Sequence, residues 1–225
     1  MKINILRKGQ KVKRRKKNTV NTGKLNNNLV RAKTVIREYA LCNEFEYFIT
    51  FTLDKKKYNR YDLKTYIKDL GQFIRDYRKK YNKDIQYLII PERHKDGAWH
   101  LHGLIKGIDN SHLVNFDLIP GAPGKLKNKE YYNFELYAKK FGFCSLGKIK
   151  DINKISSYIT KYINKELGNG LDLGNKSYYC SRGLKKAEQI KKGHLACPLE
   201  YDFENDYCKI KNVNDISNII INEIE

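Results

Sequence analysis

The chain predicts an α+β fold: a central antiparallel sheet of about five strands with helices packed mainly on one face. Two observations carry that expectation. The patterned segments run strand, helix, strand, strand, strand, helix, and the strands are joined by hairpin-type links rather than regular helical crossovers.

Taken in order, residues 44–52 (EFEYFITFT) are a run of aromatic and β-branched residues and predict a strand. Over residues 62–81 the apolar side chains Leu63, Tyr66, Ile67, Leu70, Phe73, Ile74 and Tyr77 recur at helical spacing, with Asp62 placed to cap the first turn. Residues 85–92 and 99–106 are two short strands around Asp96-Gly97, which reads as a hairpin. Residues 107–140 form a long insertion holding Pro120, Gly121, Pro123 and Gly124; insertions of this length often serve as lids or substrate contacts. Residues 141–149 predict another strand, leading directly into a helix over 152–166.

At 225 residues the chain accommodates one well-buried domain and tails. Residues 1–28 read as a basic arm, expected to be disordered when free, with the run Lys13-Arg14-Arg15-Lys16-Lys17 and no acidic residue before Glu38. The body spans 29–200. Residues 201–225 carry six acidic side chains and an Ile-rich patch, and read as an acidic tail or docking helix. A formal net charge of +20 points to a polyanionic partner, nucleic acid before an acidic membrane face. No membrane association is expected: apolar runs such as Leu88-Ile89-Ile90 fall far short of the roughly 18 residues a bilayer span needs. The basic N-terminus also lacks the apolar stretch of a signal peptide. Five scattered cysteines without a CxxC pair fit reduced thiols in a cytoplasm. The grouping Cys180, His194, Cys197 and Cys208 follows none of the usual zinc spacings.

The candidate site begins with His100-Leu101-His102. Alternate side chains of a strand share a face, so both imidazoles project together and can bind one divalent cation. Such pairs also arise by chance, and the plain alternative is a surface cluster of Glu, Arg and His. Whether Glu92 joins them depends on the turn. A two-residue Asp96-Gly97 turn would set Arg93 opposite His100 and put Glu92 on the wrong face. A three-residue loop, Lys95-Asp96-Gly97 with Gly97 left-handed, sets Glu92 directly opposite His100. Glycine in third position favours the longer loop, so Glu92, His100 and His102 form the expected ligand set. Two imidazoles and a carboxylate suit Mn²⁺ or Mg²⁺ and leave positions open for substrate oxygens.

The later helix supplies a nucleophile. Its core-facing row is Ile152, Ile155, Ile159 and Ile163. Tyr158 and Tyr162 lie one turn apart on the flank, roughly 6 Å along the axis. Each is followed three residues on by a lysine, Lys161 and Lys165. A phenol attacks poorly at neutral pH unless a cation favours the phenolate, and these lysines are the candidates. The plain alternative is a pair of rim tyrosines packing on the sheet, with solvated lysines. Arg93, Lys95, Lys148 and Arg182 are candidate phosphate contacts.

With these residues assembled, the chain resembles the HUH endonucleases, specifically the rolling-circle replication initiators of plasmids and single-stranded DNA phages. The resemblance rests on Phe48-Ile-Thr-Phe-Thr52, on Glu92 through Trp99-His-Leu-His-Gly103, and on Tyr158-Ile-Thr-Lys-Tyr162-Ile-Asn-Lys165. Tyr178-Tyr-Cys-Ser-Arg-Gly-Leu184 adds to it. Histidines preceding tyrosines distinguish the initiators from the relaxases of that superfamily. The resemblance implies an RRM-like palm. It also implies metal-assisted nicking of single-stranded or hairpin origin DNA by Tyr158 or Tyr162, giving a 5′-phosphotyrosine and a free 3′-hydroxyl. Tyr158 matches the single-tyrosine initiators more closely and is the first choice. The second tyrosine would serve strand transfer, with Lys161 and Lys165 stabilising charge. No GxxxxGK[ST] phosphate loop is present, so a host helicase would unwind the DNA and a host polymerase would extend the 3′ end, in the bacterial cytoplasm. Three other functions fit less well. One is a transposase of the same superfamily. Another is a non-enzymatic binder of single strands that stacks bases on Tyr47, Phe51 and Trp99. The last is a metal hydrolase using water.

Overall fold

A computed structural model describes residues 2–6, 22–163, 176–190, 193–195, 198–204, 208–213, 219 and 221–223. The chain divides into two compact units, residues 21–187 and residues 1–20 with 188–225. In the larger unit the elements follow in order: helix α1 (Thr22–Cys42), β2 (Tyr47–Thr52), α2 (Leu63–Tyr81), β3 (Gln86–Arg93), β4 (Trp99–Lys106), β5 (Leu113–Asn115), β6 (Tyr131–Phe134), α3 (Glu135–Lys140), β7 (Cys144–Lys148), α4 (Ile152–Ile159) and β8 (Tyr179–Cys180). In the smaller unit β1 (Lys2–Leu6) pairs antiparallel with β11 (Cys208–Asn212), which pairs with β10 (Phe203–Glu204). There β9 (Gly193–Leu195) pairs with β12 (Ile221–Glu223). The first strand of the expected arm therefore meets the acidic end of the chain in one sheet, a pairing that no local pattern announces.

The fold is α+β with an antiparallel sheet of seven strands, in the order β5-β6-β7-β2-β4-β3-β8. Four of the seven lie where the sequence places strands; the other three, β5 and β6 in the 107–140 insertion and β8, are too short for alternation to show, and they make the sheet larger than the expected five. The helices lie on both faces, not mainly on one. Phe48 and Phe51 have opposite parity on β2. Phe51 stacks on Tyr137 of α3, with ring centroids 4.0 Å apart, while Phe48 meets Tyr158 of α4 at 5.4 Å. α2 joins α3 through the paired hydroxyls of Tyr66 and Tyr137, and α1 packs against α4. The sequence reading assigned no helix at α1, and this helix supplies the second layer with Ile36 and Ala40 buried.

Local chemistry explains the elements that position the site. α2 starts where Asp62 accepts a hydrogen bond from the Thr65 amide (3.0 Å) and stops at Asn82, whose φ of 50° is left-handed. Its buried stripe is Leu63, Tyr66, Leu70, Ile74 and Tyr77, as the spacing requires. The β3–β4 hairpin closes with the His94 amide on Ala98 O (2.8 Å) and the Gly97 amide on His94 O (2.8 Å), with Gly97 at φ 84°. This is the three-residue loop, and it sets Glu92 opposite His100. Gly103 is required by close approach: a Cβ there would stand 2.3 Å from Leu88 O. α4 starts at Asp151, which accepts from the Asn153 (2.9 Å) and Lys154 (3.1 Å) amides. After Ile159 it tightens into a 3-10 turn over Thr160–Tyr162, and residues 164–166 of the expected helix lie outside the described residues. Among the described residues no helix is long and apolar enough to cross a membrane.

Candidate functional site

His100 and His102 sit on β4 between β2 and β3, on the sheet face that α4 covers. Thr52 is opposite His100 and Thr50 opposite His102 on one side; Glu92 is opposite His100 on the other. Each threonine Oγ1 lies 3.2 Å from Nδ1 of its partner histidine. Where that oxygen accepts, the proton is held on Nδ1 and Nε2 keeps its lone pair, as metal-ligating histidines need. His102 Nε2 is 2.7 Å from Glu92 Oε2. Burial pushes the His102 imidazole down to about 4, so at neutral pH it is uncharged. Burial also raises Glu92 above the usual carboxylate range, against the lowering influence of His100 and His94. A neutral imidazole and a carboxylate oxygen this close share either a proton or a cation.

The donor types and their register suit a divalent ion held by Glu92, His100 and His102. Their placement does not by itself form a cage. Glu92 closes on His102, while His100 stacks on His94 (5.1 Å between centroids). Among the described residues no three His, Cys, Asp or Glu side chains converge on one metal position.

The tyrosines lie directly over this cluster. Tyr162 stacks on His102 with centroids 4.1 Å apart and planes 10° from parallel, above Phe48. Its hydroxyl donates to the Tyr158 hydroxyl at 3.1 Å. Burial, then the hydrogen bond to Tyr158, then the nearby charges of Tyr158 and Glu92 raise the Tyr162 pKa, so Tyr162 remains a protonated donor. Tyr158 is 43% exposed, and Lys161 Nζ stands 5.4 Å from its ring centroid. Lys165 lies outside the described residues. Beyond Tyr158 a groove of about 740 Å³ is lined by Arg37, Lys154 and Lys161. Asp151 also lines the groove and pairs with Lys154 at 3.6 Å, which leaves Arg37 and Lys161 as the cations beside the exposed phenol that suit a phosphate backbone.

The remaining candidates are not gathered there. Arg93 lies over Trp99 (5.0 Å), on the face opposite the histidines, and Lys95 is exposed at the hairpin tip. Lys148 pairs with Tyr47 at the far end of β2 and reaches towards Glu130 (4.0 Å); Arg182 follows β8, beyond the Leu88–Cys180 pair. Of the three aromatics expected to stack bases in a simple single-strand binder, Phe51 and Trp99 are 2% and 1% exposed, and Tyr47 is half-buried. Of the cysteine-rich grouping, Cys197 lies outside the described residues. Four contributors escape the sequence reading: Thr50 and Thr52, whose role depends on cross-strand register, His94, which the hairpin brings beside His100, and Arg37, which α1 carries to Tyr158. The signal for the threonines was present in FITFT, where alternate positions had to share the histidine face.

The family model for the ORF2-type replication-associated protein matches residues 46–167, more than half of the 225-residue chain. An alanine–tRNA ligase of Wigglesworthia glossinidia brevipalpis is 34% identical over 114 residues, covering 46% of this chain. The chain spans only 13% of that ligase. No solved structure matches the chain.

Proposed function

The chain belongs to the ORF2-type replication-associated protein family, and from that premise we propose that it initiates replication by nicking single-stranded or hairpin-extruded origin DNA through a tyrosine. One observation carries the reading: a pair of hydrogen-bonded tyrosine hydroxyls lies over a histidine–carboxylate cluster, with Tyr162 stacked on His102. Rim tyrosines packing on the sheet would also account for the stack; the hydrogen bond from Tyr162 to the exposed Tyr158 hydroxyl, above a histidine–carboxylate pair, is what favours the nucleophile.

Tyr158 is the attacking residue in this reading. Its oxygen accepts the Tyr162 hydrogen bond, it is the more exposed of the two, and Lys161 lies over its ring. The phenol oxygen forms a bond to phosphorus and loses its proton. The P–O3′ bond breaks, and the leaving oxygen takes up a proton as the free 3′-hydroxyl. Tyr162 stabilises the developing phenolate by donating to it, while Lys161 and the Arg37 groove counter phosphate charge. Thr50 and Thr52 fix the imidazoles, and Glu92, His100 and His102 would hold a divalent ion. When bound, Mn²⁺ or Mg²⁺ supplies Lewis-acid polarisation of the phosphate. Tyr162 is also placed to serve a second transfer that rejoins the strand. Extension of the 3′ end and unwinding fall to a host polymerase and helicase in the bacterial cytoplasm.

The test is a covalent adduct. Labelled single-stranded DNA from the chain's own replicon, incubated with the protein and Mn²⁺, should give a complex that survives denaturation. His100→Ala, chelation by EDTA and Tyr158→Phe should each remove it. An adduct that persists when both tyrosines are phenylalanine would overturn the assignment.

A further inference from the structure

On the histidine face, one row of side chains crosses β3, β4 and β2 and reaches the residue that precedes β7: Glu92, His100, Thr52 and Phe143. The Thr52 amide donates to Phe143 O at 2.9 Å, just beyond the Phe51–Cys144 pair, which gives Phe143 the parity of Thr52. His100 follows opposite Thr52, and Glu92 opposite His100. Phe143 is 45% exposed. Its ring leans on the buried Phe116, with centroids 5.9 Å apart. It borders a cleft of about 540 Å³ that Thr52, Asp54, Lys57, Pro120 and Pro123 also line. That volume is within the roughly 300–1,000 Å³ of ligand pockets.

We propose that Phe143 and this cleft hold one unpaired nucleobase of the DNA strand beside the reacting phosphate. The proposal rests on the nicking reading for the direction of the strand, but not for the stacking itself. Strands lie about 4.8 Å apart, so Phe143 stands about 10 Å from His100 across the sheet, the reach of a nucleotide whose base is turned away from its phosphate. The chemistry of the cleft favours a base over an apolar partner. A flat aromatic backs one side, while Thr52, Asp54 and Lys57 supply polar groups at the edges. The exposed lysine run at 55–57 lies next to it for phosphate. Lys57 Nζ is anchored on the Lys139 carbonyl at 2.8 Å, which fixes the cleft wall between the β2–α2 loop and α3. The insertion 107–140 thereby gains a use: it carries Phe116 and the proline loop that form the far wall. A stacking contact of this kind tolerates any base.

Fluorescence anisotropy of the full chain in EDTA, where no cleavage occurs, reads the contact directly. The probes are labelled oligothymidylate and an abasic strand of equal length. The wild-type chain should prefer the base-bearing strand, and Phe143→Leu, which keeps apolar bulk against Phe116, should lose about tenfold of that preference. Phe143→Trp should keep it. Equal loss on both strands, or no loss with Phe143→Leu, would overturn the proposal. The failures separate cleanly. A missing adduct with intact base preference sinks the nicking reading alone, whereas an intact adduct with an unchanged Phe143→Leu ratio sinks only this one.

Discussion

Tyr162→Phe removes a single oxygen and keeps the ring that stacks on His102 at 4.1 Å. What is lost is the hydroxyl donating to Tyr158 at 3.1 Å. A hydrogen bond to a charged group contributes about 1.5–3 kcal/mol, and 3.1 Å is long for an O–H···O contact, so the lower half of that range applies. Each 1.36 kcal/mol is a factor of ten in rate, giving a cleavage step slowed by about ten- to fortyfold. Tyr158→Phe, by contrast, should leave no adduct. Single-turnover formation of the covalent complex, sampled by rapid quench at saturating protein, measures the step without interference from product release. Because Tyr162 is held in its protonated form, the deficit of Tyr162→Phe should not vanish between pH 6 and about 9. The reasoning is refuted if Tyr162→Phe abolishes the adduct while Tyr158→Phe forms it at the wild-type rate. That outcome would exchange the roles of the two phenols.

Arg37→Ala should weaken single-strand binding and reduce the slope of log affinity against log salt by about 0.7–1, since one phosphate contact is removed; an unchanged slope would exclude the Arg37 groove. Gly103→Ala should destabilise the chain by about 2–4 kcal/mol, because its Cβ would meet the Leu88 carbonyl at 2.3 Å, whereas Gly124→Ala, with nothing within 4 Å, should melt near the wild-type temperature. Thr50→Val should weaken Mn²⁺ binding measured by calorimetry, with Thr50→Ser restoring it; identical affinity in Thr50→Val would leave the hydroxyl without a role. Backbone amides of Thr65, Ala98 and Ser111 hold the carboxyls of Asp62, Asp96 and Asp109 below the usual range. A folded-state pKa below the unfolded value of about 3.9 gives stability that is full above that pH and is lost as pH falls through the folded values. Melting temperatures should therefore hold at pH 5 and fall below about pH 4, and Asp109→Ala should flatten that acid slope.

The residues of the site were legible where chemistry and period coincide. His100 and His102 share a face because strand side chains alternate, and the position of Gly97 in the loop was enough to bring Glu92 opposite His100. The α2 stripe and its Asp62 cap were equally plain. Short elements were not. β5, β6 and β8 are two to four residues long, below the length at which alternation can be told from chance, and with the four legible strands they make up the seven-stranded sheet. α1 was hidden by the charged and asparagine-rich surroundings of its buried residues. Missing it removed the second helical layer, and with it Arg37. Phe51 and Trp99 invited a base-stacking reading from composition alone, yet the parity of β2 and β4 buries both, Phe51 against Tyr137 of α3 and Trp99 with its indole N–H on Tyr61 O.

The sequence by itself determined the α+β class, the shared face of His100 and His102, and the register that sets Glu92 opposite His100. Those follow from periodicity and from turn geometry, both of which are local properties. Only the tertiary structure decided that Tyr162 lies on His102, that threonine hydroxyls anchor both imidazoles, and that Phe143 stands in line with them. Such relations are set by which strands are neighbours and where a helix crosses them, and burial of apolar surface between distant segments is what fixes both.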